Sequence, residues 1–118
     1  MLSLYPPVSL QAFEEFMQMR LSPRFVVKVS SPSCPRCPDV TAAVIGLEKA
    51  FEFARIELDV TKMEDDLIES LAITKLPTIL IYDGEENQIF RADGATVEVL
   101  QLAVRETCGP RLVLDSEF

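Results

Sequence analysis

Cys34 and Cys37 stand two residues apart in the stretch Ser30-Ser31-Pro32-Ser33-Cys34-Pro35-Arg36-Cys37-Pro38, and three of the chain's eight prolines crowd around them. Sulfur at this spacing has three chemistries open to it: half of a metal site, an inert structural pair, or a couple that cycles between dithiol and disulfide. The metal reading fails on ligands. Zinc usually takes four cysteines or histidines, and the 118 residues hold no histidine and only Cys108 besides the pair. No metal is expected, short of a site shared between two chains.

The neighbouring elements favour redox cycling over inert thiols. "RFVVKVSS" (24–31) is a short β-branched run that reads as a strand. Beyond the cysteines, Val40, Ala43, Val44, Leu47, Ala50 and Phe51 recur at three- and four-residue spacing, which marks an amphipathic helix. A strand feeding directly into a helix aims unpaired N–H groups at the junction, and a thiolate there falls below its free pKa of roughly 8.5. Cys34, at the exposed end, would attack; Cys37, one turn along and more buried, would close a disulfide on it.

Pro35 suits the first helical position, where a missing N–H costs nothing. Pro38 fits only if the regular helix starts near Cys37. Arg36 adds a fixed positive charge that favours the thiolate-bearing dithiol and makes the pair more oxidising. Its alternative is a solvated arginine that touches nothing at the sulfur.

The remaining elements follow from patterning. Ser9 caps a helix over about 10–20, with Leu10, Phe13 and Met17 on one face. Residues 54–60 alternate as a half-buried strand, and 63–72 form a short helix with acidic residues in its first turn. Thr78–Tyr82 and Gln88–Ala92 read as a hairpin turning at Asp83-Gly84, and a last helix over Val97–Thr107 stops at Gly109-Pro110. The order α-β-α-β-α-β-β-α implies an α/β domain: a mixed central sheet flanked by helices on both faces. A single domain is expected over 1–118, with a core of about 9–108 and an unassigned tail at 109–118.

Charge and composition exclude several functions. With 11 basic and 19 acidic side chains the net charge is −8, which repels phosphate backbones, so no nucleic-acid ligand is expected. No apolar run approaches the ~18 residues of a membrane span. The N-terminal residues lack the basic-then-apolar plan of a signal peptide. A cytoplasmic monomer is the expected state, with an organellar location left open.

Strand, "CPRC" and helix, then "KLPT" opening a strand, then Gly94 after the final hairpin, together resemble the thioredoxin superfamily over about residues 9–108. The resemblance implies a thioredoxin-like fold and a cis bond before Pro77, with the backbone of Leu76-Pro77-Thr78 turned toward Cys34 to pair with an extended substrate segment. It also marks two departures. Ser33 stands where thioredoxins carry tryptophan, and Lys28 stands where they carry a buried aspartate behind the cysteines. Either Lys28 lies near Cys37 and lowers its pKa, or it pairs with Glu57 on the neighbouring strand and leaves the sulfurs alone.

The expected function is therefore protein thiol–disulfide oxidoreduction, with Cys34 and Cys37 catalytic and Pro35, Arg36 and Lys28 in support. Its partners would be protein disulfides and a separate reductase or thiol donor, with no bound cofactor. One alternative is a thioredoxin-fold docking module without redox activity. Another is a glutaredoxin-like enzyme, which "CP-x-C" resembles; there Ser31 replaces the usual lysine and Asp93-Gly94 the usual Gly-Gly, which makes an anionic tripeptide a poor ligand. Cys108, closing the last helix, is expected to have no redox role, the alternative being a regulatory or intermolecular disulfide.

Overall fold

Five consecutive residues of strand β1 (Arg24–Ser30), Phe25 to Val29, are buried, which requires a central strand covered on both faces. The computed structural model describes residues 7–111. β2 (Ala54–Asp59) lies parallel to β1 on one side, and β3 (Thr78–Asp83) lies antiparallel on the other. β4 (Gln88–Asp93) pairs antiparallel with β3 and completes the order β2-β1-β3-β4. This is the mixed sheet that a βαβ opening and a hairpin finish imply.

The period-two alternation of β1 separates two cores. Phe25, Val27 and Val29 face α1 (Leu10–Gln18) and α3 (Asp65–Leu71), where Phe13, Met17, Leu67 and Leu71 meet them. Val26 faces α2 (Cys37–Leu47) and α4 (Val97–Thr107), against Val40, Val44, Leu100 and Val104. Lys28 shares Val26's parity on the strand.

Local chemistry explains the helix limits. The Ser9 hydroxyl accepts from the Ala12 N–H at 3.1 Å and starts α1. α3 ends at Ala72, whose φ of 52° is left-handed, and the Arg91 guanidinium donates to the Leu71 and Ala72 carbonyls, each at 2.6 Å. Arg24 does the same for α4 through the Thr107 carbonyl at 2.7 Å.

Two expectations shift. The second helix stops at Leu47 instead of running on to Phe51. Phe51 is drawn into a bridge with Pro110, flanked by Glu52 N–H to the Gly109 carbonyl at 2.9 Å and Arg111 N–H to the Ala50 carbonyl at 3.0 Å. A contact this distant in sequence leaves no periodic trace. The start of the tail is thus placed, and 112–118 lie outside the described residues. No described helix is long and apolar enough to cross a membrane.

Candidate active site

β1 delivers the chain to a tight turn before α2. The Cys34 N–H donates to the Ser31 carbonyl at 3.2 Å, and the Cys37 N–H donates to the Cys34 carbonyl at 3.3 Å. The two cysteines form a disulfide with Cα atoms 5.4 Å apart, inside the range that lets the bond form and break without backbone movement. Cys34 is half-buried, whereas Cys37 is only 4 % exposed. Cys34 is therefore the sulfur that a partner can reach, and Cys37 is the covered one.

The helix begins at Cys37, with Arg36 as N-cap. Pro35 is therefore in the turn, not at the first helical position expected of it. Pro38 takes the second helical position instead, where its missing N–H is one of the helix's unpaired donors anyway.

Arg36 is exposed, and no hydrogen bond joins it to a sulfur among the described residues. Its guanidinium donates to the Gly94 carbonyl at 3.2 Å. Gly94 follows β4 with φ of 63°, which suits glycine. The next residue, Ala95, donates its N–H to the Pro77 carbonyl at 2.8 Å. Arg36, Gly94, Ala95 and Pro77 thus tie the cysteine turn to the loop before β3.

In that loop the Leu76–Pro77 peptide bond is cis. Pro77 and Thr78 are buried, and the half-buried Leu76 side chain packs on the α1–α3 core. The Thr78 hydroxyl donates to the Lys75 carbonyl at 2.5 Å, and its backbone lies inside the sheet between Val29 and Asp93. Thr78 braces the loop through its hydroxyl bond. The Leu76 backbone N–H and carbonyl make no hydrogen bond among the described residues.

Lys28, 1 % exposed, pairs with Glu57 at 3.3 Å and donates to the Ser30 hydroxyl at 3.1 Å. The strand register sets Lys28 directly beside Glu57, which in turn meets Arg55 at 3.3 Å. The expected ion pair with Glu57 is formed, and Lys28 makes no hydrogen bond to either sulfur among the described residues. No three His, Cys, Asp or Glu side chains among the described residues converge as a metal site.

No family model matches the sequence, and no curated protein matches it. Solved structures do. The crystal structure of Plasmodium falciparum thioredoxin superposes with a TM-score of 0.76 at 15 % identity, over 91 % of this chain and 94 % of that one. The chain has the thioredoxin-like fold. Schistosoma mansoni thioredoxin gives 0.75 at 14 % identity, over 86 % of this chain and 92 % of that one. Oxidised thioredoxin O1 from Arabidopsis thaliana gives 0.70 at 21 %, over 85 % and 93 %. At such identities the thioredoxin-like fold persists because its two cores need only apolar residues of suitable volume.

A groove of about 470 Å³ lies beside the disulfide. Its lining includes Cys34 and Cys37 but none of Leu76, Pro77 or Thr78. The accessible space therefore sits on the α2–β2 flank of the cysteine turn, which patterning did not mark. One signal was present: Asp59 stands two residues before Thr61, a spacing that builds an Asx turn and fixes the carboxylate at the end of β2.

Proposed function

We propose that the protein is a protein thiol–disulfide oxidoreductase that uses Cys34 and Cys37 as its couple. The observation that carries this reading is the graded exposure of two bonded sulfurs at the start of α2, the outer one open to a partner and the inner one covered. The Cys34 thiolate attacks one sulfur of a substrate disulfide; that bond breaks, and the other substrate sulfur leaves as a thiolate that takes up a proton. Cys37, deprotonated, then displaces the substrate from the mixed disulfide. The substrate leaves with two electrons gained, and the Cys34–Cys37 disulfide holds the oxidised equivalent.

A separate reductase or thiol donor returns the two electrons; no cofactor of this chain is required. The backbone of Leu76, without a hydrogen bond among the described residues, would offer an extended substrate segment one strand-like contact. Pro35 holds the turn in shape, and Arg36, two residues from Cys34 and bonded to the Gly94 carbonyl, adds a positive charge to the turn. Lys28, with its charge matched by Glu57, supports the floor of α2.

Insulin precipitation in dithiothreitol tests the reading. The reduced protein is expected to shorten the lag, Cys34→Ser to abolish the effect, and Cys37→Ser to accumulate a trapped mixed disulfide. An unchanged lag, with no disulfide formed across glutathione buffers, would sink the redox function and leave a docking module.

A further inference from the structure

The groove beside the disulfide is built for something. Pro38, Ala42 and Ile45 line its α2 wall at helical spacing with Thr41 between them, and Pro38, Ala42 and Ile45 are exposed on the side of α2 away from buried Val40 and Val44. Ile45 keeps 43 % of its surface in water. Across from this wall, Ser30 and Asp59 line the ends of β1 and β2.

Asp59 is held in place and held charged. Its Oδ1 accepts from the Thr61 N–H at 2.9 Å and the Thr61 hydroxyl at 2.6 Å. These two bonds, the hydroxyl's first, keep its carboxyl below the usual aspartate range. Its Oδ2 has no hydrogen-bond partner among the described residues. An apolar wall facing one fixed carboxylate with a free oxygen matches a side chain that is apolar along its length and cationic at its tip.

We propose that this groove receives a lysine or arginine side chain of the protein substrate, next to the substrate's disulfide. The methylenes lie along Ala42 and Ile45, and the cation meets Asp59 Oδ2. A glutamate there would face Asp59 and the chain's net charge of −8; a purely apolar residue would leave the free oxygen stripped of water. The groove thus selects substrates by the charge flanking their cysteines. The inference rests on the redox reading, because Cys34 and Cys37 close one end of the groove.

The test measures kcat/KM of the reduced full chain on disulfide peptides with a single lysine or glutamate scanned through the positions around the cysteine. A small uncharged disulfide serves as reference for the wild type. At its best position the lysine peptide is expected to react about 5-fold faster than its glutamate partner, the scale of an exposed ion pair. Asp59→Asn, which keeps the Asx turn, should bring that ratio within each variant close to one. Glu69→Gln, on α3 at the other face of the sheet, changes net charge equally and should leave it intact. Three results overturn the proposal alone while the small disulfide is reduced: no lysine preference in the wild type, a preference that survives Asp59→Asn, or one lost equally in Glu69→Gln. Failure to reduce the small disulfide overturns the redox reading, and the groove proposal falls with it.

Discussion

Cys37 and Cys108 are buried to nearly the same degree, 4 % and 6 % exposed, yet they stand at opposite kinds of helix end. Cys37 opens α2, where unpaired N–H groups favour a thiolate; Cys108 closes α4, where carbonyls oppose one. Cys37 has Cys34 within bonding distance, while the one hydrogen-bond partner of the Cys108 sulfur among the described residues is the Thr107 hydroxyl, at 3.6 Å. Burial among Leu100, Ala103 and Val104 pushes the Cys108 thiol above its ordinary pKa, and the Thr107 contact and the Arg24 charge offset this only in part. Burial by itself therefore does not distinguish the two sulfurs. The end of the helix and the neighbour of the sulfur do.

The largest effect expected from this contrast is in alkylation. After reduction, iodoacetamide should label Cys34 at least about 100-fold faster than Cys108, whose exposure needs local opening of the core. Mass spectrometry of quenched samples reads both rates, and comparable rates would erase the distinction. Next in size is the charge beneath α2. Glu57→Ala should cost about 1–3 kcal/mol in urea denaturation, because it strips the buried Lys28 ammonium of its counter-ion. Lys28→Met should cost less than about 1 kcal/mol, since half-buried Glu57 then returns to water and Arg55. The same variant also removes a cation from behind α2: an unchanged Cys37 titration would leave Lys28 outside the couple, and a thiol that titrates higher would make it part of it.

A pH series sharpens the other end. The folded-state pKa of Cys108 lies above its unfolded value, so the folded protein holds the proton more tightly. Its contribution is complete below roughly pH 8.5, the unfolded thiol's pKa, and is lost as pH rises from there through the folded value. In the oxidised protein, where Cys34 and Cys37 do not titrate, stability should fall between pH 8.5 and 10 by up to about 1.4 kcal/mol per unit. Cys108→Ala should flatten that limb. The range ends at 10 because buried Tyr82, also shifted upward, titrates beyond it. The smallest effect belongs to Arg36. Arg36→Ala should move the couple about 10–20 mV more negative in glutathione buffers, the worth of one exposed charge near a thiolate.

Much of this was legible in the chain. Phe13 and Met17 at helical spacing, the alternation of Ile56 and Leu58, and the β-branched run of β1 each report burial through a local period, and each element formed where its period lay. The graded exposure of Cys34 and Cys37 followed from a strand running into a helix. Pro35 and Pro38 were harder, because either could open a helix, and only the turn closed by the Cys34 carbonyl decided between them. The bond from the Thr78 hydroxyl to the Lys75 carbonyl had no local sign in the sequence.

The sequence by itself determined the two cores and the strand-turn-helix that carries the sulfurs. These depend on residue type and spacing along a few turns of backbone, which any reader of the chain can count. Only the tertiary structure decided that Lys28 is matched by Glu57, that Arg36 reaches Gly94, and that Asp59 faces Ile45 beside the disulfide. Those contacts join residues from different elements. Their geometry is set by how α2 sits over the sheet, a packing result to which every buried side chain contributes and which no local stretch records.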